Sequence, residues 1–172
     1  MADIDPEALF PTGLTVTPGS YNSMFNGLLD GLQSGGWTHK PLALQTLGIM
    51  PEQWLKEAAP GRVVYVWEND GSKDIQPGRA FGGWVGALSD HVVSICMMSA
   101  LQEGEYFTTQ DLQLKLFRPV GGTRVRIEAE VINRSRSTGY VEARWILDTG
   151  KLAVKVLAWK AIRSQAELAP RA

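Results

Sequence analysis

The segment from Phe81 to Met98 constrains the fold of this chain more than any other part of the sequence. It opens with the glycine pair Gly82-Gly83, continues as a run that is apolar on nearly every side, and carries one carboxylate, Asp90. A helix that is apolar all round is predicted to be buried. An ionised carboxylate in such surroundings is costly unless it is paired, so Asp90 is the first candidate for chemistry.

Five segments around this helix have the composition of strands. The middle one alternates strictly between apolar and charged residues, which is typical of a strand with one wet face. Short glycine-containing turns separate the later segments, so these strands are expected to pair antiparallel. We therefore predict an α+β fold in which a curved antiparallel sheet wraps around one central helix. The predicted strands cover residues 62–69, 106–120, 124–133, 140–147 and 152–162.

The N-terminal part of the chain has a different pattern. Residues 1–20 contain too many prolines and glycines for a regular element. Apolar spacing and helix-start signals predict short helices over residues 21–32, 41–47 and 51–57.

The length of 172 residues suits one well-buried domain. We divide the chain into an N-terminal arm and helical extension (1–58), the domain that contains the central helix (59–164) and a flexible tail (165–172).

Composition narrows the classes of function. Lysine and arginine number 17 against 18 acidic residues, so the net charge of −1 gives no general attraction for nucleic acid or an anionic membrane. The single cysteine, Cys96, lies in the apolar segment and favours a reducing compartment. No stretch approaches the ~20 apolar residues of a membrane span. We expect a cytoplasmic protein without a metal or other cofactor.

Two features of the central helix point to hydrolysis. Ser94 follows Asp90 by one turn, and a carboxylate with a hydroxyl beside it can hold a water molecule for general-base chemistry. The alternative for Ser94 is a hydrogen bond to its own helix. The free N–H groups at Gly82-Gly83 can stabilise an oxyanion, although a glycine pair can equally form a simple turn.

The spacing of these features predicts a shared site. Asp90 lies eight residues after Gly82, which at ~1.5 Å per residue is ~12 Å along the helix, too far for both to act on one carbon. Antiparallel central helices from two subunits would bring them together and create two equivalent sites in a homodimer.

The residues Phe81-Gly82-Gly83, Ala87–Asp90, Thr108–Val120 and Asn133–Arg136 resemble hotdog-fold acyl-CoA thioesterases. The likeness is greatest to the phenylacetate-pathway (PaaI-like) and 4-hydroxybenzoyl-CoA thioesterase branch and spans about residues 61–162. It implies a hotdog fold, with hydrolysis of an acyl- or aryl-CoA thioester to the free acid and CoA.

The resemblance also implies roles for particular residues. Asp90 takes the place of the helical acid that acts as general base or nucleophile, Gly82 supplies the oxyanion N–H, and Ser94 helps to place water. Phe81 replaces a histidine that many members carry, and Gln76 is the candidate for an upstream amide. The motif at Phe81 is also similar to that of acyl-CoA thioesterase II proteins.

Further residues are candidates for binding an acyl-CoA substrate. Phe81, Gly83, Trp84 and Met97 are expected to shape the acyl site. Three arginines are candidates for the CoA phosphates, with solvated turn charges as the alternative: Arg118, Arg134 and Arg136.

A second hypothesis is a non-catalytic hotdog module that binds acyl-CoA or serves in assembly, which the replacement of the histidine by Phe81 favours. In either case we expect a homodimer or a dimer of dimers.

Overall fold

The computed structural model describes residues 9–35 and 40–168 of the chain. Residues 1–8 of the predicted arm and 169–172 of the predicted tail lie outside the described residues.

One sheet of seven strands forms most of the structure, in the order β1-β2-β3-β7-β8-β9-β6. Every neighbouring pair is antiparallel except β1 and β2. All five predicted strands are present with shifted ends. The strands are β1 (Thr15–Val16), β2 (Leu55–Ala59), β3 (Arg62–Glu68), β6 (Glu105–Leu116), β7 (Arg124–Arg134), β8 (Thr138–Leu147) and β9 (Leu152–Ser164).

A small separate hairpin precedes the central helix. It consists of β4 (Asp74–Gln76) and β5 (Arg79–Ala80).

The helices precede or follow this hairpin. They are α1 (Ser23–Gln33), α2 (Leu42–Leu47), α3 (Pro51–Trp54), α4 (Gly82–Met98) and a final 3-10 turn (Gln165–Leu168).

The predicted helix over residues 51–57 is partly wrong. It ends at Trp54, and Leu55–Ala59 continue as β2, which pairs antiparallel with β3. Lys56, Glu57 and Ala58 have the intrinsic preferences of helix residues. Pairing with β3 outweighs that local preference, so the sheet begins before residue 59.

The helix α4 is the predicted central helix, and it packs against strands β3, β6, β7, β8 and β9. Val85, Leu88, Val92 and Cys96 lie on its buried side and are fully inaccessible to solvent. Within one chain the sheet covers only one side of the helix, so this chain alone does not bury it on every side. A strip along the other side stays partly or fully exposed: Gly82, Gly83, Gly86, Ala87, Asp90 and Ser94.

Asn22, at the start of α1, joins that helix to this core. The side chain of Asn22 caps α1 through the Phe25 N–H at 2.9 Å and donates to the Met98 carbonyl at 2.8 Å.

Among the described residues, no helix has both the length and the apolar composition to cross a membrane.

Candidate active site

Asp90 lies on the partly open side of α4, with its side chain 47% exposed. One oxygen, Oδ1, accepts hydrogen bonds from the Thr109 hydroxyl at 3.1 Å and from Lys160 Nζ at 3.4 Å. The carboxylate is therefore anchored through one oxygen to the sheet. Because it has a cationic partner and access to solvent, it can be ionised without the full cost of a buried charge.

Ser94 lies one turn further along α4, as the sequence predicts. Its Oγ accepts a hydrogen bond from Lys160 Nζ at 2.9 Å. In the part of the chain that the structure describes, its hydrogen-bond partner is this lysine from the sheet rather than a carbonyl of its own helix. The hydroxyl therefore sits beside the carboxylate as an oriented group.

Lys160 is the residue that sequence reasoning missed. It lies on β9 with its side chain wholly buried, and Nζ also donates to the Thr109 hydroxyl at 2.7 Å. Burial lowers the pKa of Lys160, and the neighbouring Asp90 carboxylate opposes that shift. A buried lysine beneath a candidate catalytic acid is a marker of a functional site.

A signal for Lys160 exists in the strand pattern. The inward-facing positions of β9 recur every second residue, and the lysine is the one charged residue among them. These positions are Val154, Val156, Ala158, Lys160 and Ile162.

Thr109 was also missed. It pairs across the sheet with Lys160 just before a register shift in β6, between Thr109 and Asp111. The shift changes which residues face α4, so a simple alternation read from the sequence does not identify it. Asp90, Ser94, Thr109 and Lys160 are hereafter called the polar cluster.

An apolar cavity of about 650 Å³ adjoins the polar cluster, between α1, α2 and α4. Asp90, His91 and Ser94 are on its α4 wall. The opposite walls are mainly apolar and include Met24, Leu28, Leu44, Leu47 and Ile49. This volume is within the range of small-molecule sites, about 300–1,000 Å³. We call it the α1–α2 cavity.

His91 belongs to the apolar side of this region. Its Nε2 is 3.2 Å from the hydroxyl of the buried Tyr65, and the two rings meet edge to face. Burial lowers the pKa of His91 to about 4, so the ring is neutral at neutral pH. Burial also raises the pKa of the Cys96 thiol, which excludes it as a ready nucleophile.

Two residues expected to shape the acyl site, Trp84 and Met97, do not line the α1–α2 cavity. Trp84 is buried against Trp67 and donates from Nε1 to the Leu47 carbonyl at 2.8 Å, so it supports a wall of the α1–α2 cavity without lining it. Met97 is fully buried against Gly139, where a Cβ would clash with its sulfur. Met98 lines the cavity instead, because α4 ends beneath α1.

The glycine pair opens α4, as predicted. Phe81 is the N-cap residue and is 53% exposed. A Cβ on Gly83 would lie 2.7 Å from the Phe81 ring, so a side chain there would displace the ring. Gly82 and Gly83 are exposed, and so is Gln76 on β4. The structure places these four residues outside both the polar cluster and the lining of the α1–α2 cavity.

The three candidate arginines differ in their surroundings. Arg134 forms an ion pair with Glu105 and is mostly buried, so its charge is already engaged. Arg118 is exposed, and its guanidinium donates to the Leu152 carbonyl at 2.6 Å. Arg136 is exposed in the turn before β8.

Comparison with known proteins places this geometry in context. A family model described as the thioesterase superfamily matches residues 77–154. A thioesterase structure from Haemophilus influenzae has 21% sequence identity, covers 78% of this chain and 91% of its own, and gives a TM-score of 0.65. The resemblance to hotdog-fold thioesterases is confirmed. The hotdog fold itself is confirmed as well.

Two further structures with this hotdog fold are similar. A phenylacetic acid degradation-related protein from Ralstonia eutropha JMP134 has 23% identity, with 80% of this chain and 98% of its own covered and a TM-score of 0.64. A hypothetical thioesterase protein from Streptococcus pneumoniae with coenzyme A has 18% identity, covers 64% and 85%, and gives a TM-score of 0.58. No significant match was found among curated proteins.

The matched segment contains only part of the site. Asp90, Ser94 and Thr109 are within residues 77–154, whereas Lys160 follows that segment. The helices α1 and α2, which form two walls of the cavity, precede it. The matched segment therefore supplies three members of the polar cluster, the end of β9 supplies Lys160, and the N-terminal helices supply two walls of the cavity.

Proposed function

We propose that this protein hydrolyses an acyl- or aryl-CoA thioester to the free acid and CoA, with Asp90 as general base or nucleophile. The family match supports thioester hydrolysis in general terms. The observation that carries the proposal is the position of Asp90, an accessible carboxylate on the wall of an apolar cavity.

The hydrogen bonds around Asp90 favour one oxygen for the chemistry. Oδ1 is held by Thr109 and Lys160, so Oδ2 is the oxygen proposed to react. As general base, Oδ2 takes a proton from water while the water oxygen attacks the thioester carbonyl. The carbon–sulfur bond then breaks, and the proton returns to the departing CoA thiolate. As nucleophile, Oδ2 would attack the carbonyl itself, and the carbon–sulfur bond would break to release the CoA thiolate and leave a mixed anhydride. Water would then hydrolyse the anhydride to the free acid and the Asp90 carboxylate, and a proton from that water would neutralise the thiolate.

The substrate would divide between the cavity and the surface. An apolar acyl or aryl group fits the α1–α2 cavity, since most of its lining is aliphatic. The CoA portion would remain outside, where the exposed cations of Arg118 and Arg136 are the candidates for phosphate contact. The coenzyme A in the Streptococcus pneumoniae structure is in keeping with such a substrate.

A homodimer would complete the site. The strand β6 is at the edge of the sheet, with one long side unpaired in the described chain. Three large apolar residues close to this edge are exposed: Phe81, Leu116 and Phe117. A Cβ on Gly82 would lie 3.9 Å from Leu116 Cδ2, so the start of α4 adjoins the end of β6. Burying them between subunits would bring the N–H groups at Gly82 of the partner subunit towards Asp90.

Release of free CoA from a panel of acyl- and aryl-CoA thioesters tests the proposal. Asp90→Asn keeps the size of the side chain and removes the base, so we expect kcat/KM to fall by about 10²–10⁴-fold, with the oligomeric state unchanged by light scattering. Equal rates in the two proteins would reject Asp90 as the general base or nucleophile.

The same assay distinguishes hydrolysis from the non-catalytic alternative. The presence of Phe81 at the usual histidine position favours that alternative. In that case the wild-type protein would bind acyl-CoA, measured by calorimetry, and would release no CoA from any member of the panel.

A further inference from the structure

We infer that Lys160 is a positioning residue of the proposed thioesterase site. It holds Asp90 Oδ1 and the Ser94 hydroxyl, and it thereby leaves Asp90 Oδ2 and the Ser94 hydrogen for water or substrate. This inference rests on the proposed function and concerns a residue outside the segment that the family model matches.

The hydrogen-bond geometry around Nζ accounts for all of its donors. An ammonium group has three hydrogens and no acceptor. The three oxygens within reach are Thr109 Oγ1 at 2.7 Å, Ser94 Oγ at 2.9 Å and Asp90 Oδ1 at 3.4 Å. The lysine thus has a partner for each hydrogen and cannot move to one side without losing another bond.

This arrangement fixes the direction of both hydroxyl groups. Thr109 accepts from the ammonium and so directs its own hydrogen to Asp90 Oδ1, 3.1 Å away. Ser94 also accepts from the ammonium, so its own hydrogen points away from Lys160. Since Ser94 lines the α1–α2 cavity, that hydrogen is available to a water molecule there. Without the charge on Lys160, both hydroxyls could rotate.

The position of Lys160 in the sheet explains how one cation reaches all three oxygens. It faces Thr109 on β6 and Gly139 on β8, and neither neighbour is charged. From α4, the facing ionisable groups are Asp90 and Cys96, and the buried thiol is neutral at ordinary pH. Asp90 is therefore the one anion beside this buried cation within the described chain.

The test compares Lys160→Met with Lys155→Met. Methionine keeps the length and the packing of the lysine stem and removes the charge. Lys155 is on the same strand, is partly exposed and pairs with Glu142 at 2.9 Å, so its replacement controls for loss of a lysine from β9.

We expect Lys160→Met to lower kcat about 10–100-fold, the effect of losing one or two charge-assisted hydrogen bonds. KM for the thioester should change little, because the cavity walls are untouched. Lys155→Met should keep the wild-type kcat. Wild-type kcat in a folded Lys160→Met protein would overturn the inference.

The pH profile supplies a readout that a packing role would not change. The lowered pKa of Lys160 means that the wild-type activity falls at alkaline pH as the ammonium loses its proton. Lys160→Arg keeps the charge at all pH values, so its residual activity should lack that alkaline fall. An unchanged alkaline limb in Lys160→Arg would contradict the assignment.

Two measurements cover the cases in which Lys160→Met fails to fold or the wild-type protein has no turnover. Thr109→Val removes the hydroxyl that links the ammonium to Asp90 and leaves the lysine in place, and it should lower kcat whereas Thr109→Ser should retain it.

Nitrogen-15 NMR of the lysine side chains requires no activity. It should show Lys160 titrating below the ordinary lysine value, and lower still in Asp90→Asn, because Asp90 raises the pKa of Lys160. No change on that substitution would overturn the inference, even if the protein proves not to be a hydrolase.

Discussion

The two sides of α4 differ sharply at the level of Asp90. Towards β6 and β9, the helix meets the hydroxyl and the ammonium of the polar cluster. Towards α1 and α2, it meets the apolar α1–α2 cavity. Asp90 and Ser94 are members of the polar cluster and also line the α1–α2 cavity. If the proposed function holds, the sheet side would set the charge and direction of the reacting groups, and the helical extension would select the acyl group.

The largest effect should come from the shared residue. Asp90→Asn is expected to lower kcat/KM by about 10²–10⁴-fold, and by the same factor for short and long acyl chains, because the lost group acts on the thioester carbonyl. Measuring CoA release across a chain-length series checks this. A loss that grows with chain length would place Asp90 in acyl recognition and would break the proposed division.

The neutral state of His91 should make stability depend on pH. Its folded pKa of about 4 lies below the unfolded value of 6.5. The unfolded chain therefore binds the proton first, and the free energy of unfolding falls as the pH drops from about 6.5 to about 4, by roughly 3 kcal/mol in total.

Chemical denaturation of wild type and His91→Phe at several pH values measures this dependence. Phenylalanine retains the ring against Tyr65 and cannot titrate, so the variant should lose that part of the slope between pH 6.5 and 4. An identical slope in both proteins would show that folding does not lower the pKa of His91.

Filling the α1–α2 cavity should change selectivity alone. Gly27 on α1 lines the cavity, and a Cβ added there meets nothing within 4 Å. Gly27→Leu should lower kcat/KM for the longest acyl chains about 10–200-fold, the usual value of one or more lost methylene contacts, and leave the shortest unaffected.

Gly27→Ala is the matched control for that substitution. It removes the same helical glycine, which should stabilise α1 by about 0.5–1 kcal/mol, with a smaller loss of cavity volume. An equal loss of activity on all chain lengths in Gly27→Leu would mean that the cavity does not hold the acyl group.

The smallest effect should come from the support of the cavity wall. Trp84→Phe removes the hydrogen bond from Nε1 to the Leu47 carbonyl and keeps an aromatic ring beside Trp67. We expect a loss of about 1 kcal/mol in the free energy of unfolding, with weaker chain-length discrimination and little change in kcat on short chains. Thermal unfolding and the chain-length series together test this, and an unaltered series would limit Trp84 to the core.

The sequence alone determined the central element of the fold and the candidate residue on it. The glycine pair and the apolar run placed α4, and the one carboxylate in that run identified Asp90. Strand-like composition, strict alternation in one segment and glycine turns located the five main strands. These features are local, since a period of two or of 3.6 residues depends only on neighbours along the chain.

The tertiary structure decided what surrounds Asp90. Lys160 is 70 residues away in sequence, and its meeting with Asp90 depends on the register of β6 against β9. The shift after Thr109 turned its hydroxyl towards Asp90 and Lys160. The cavity formed where α1 and α2, which the resemblance did not cover, pack against α4. Strand register and helix packing result from contacts between distant residues, which local patterns do not encode.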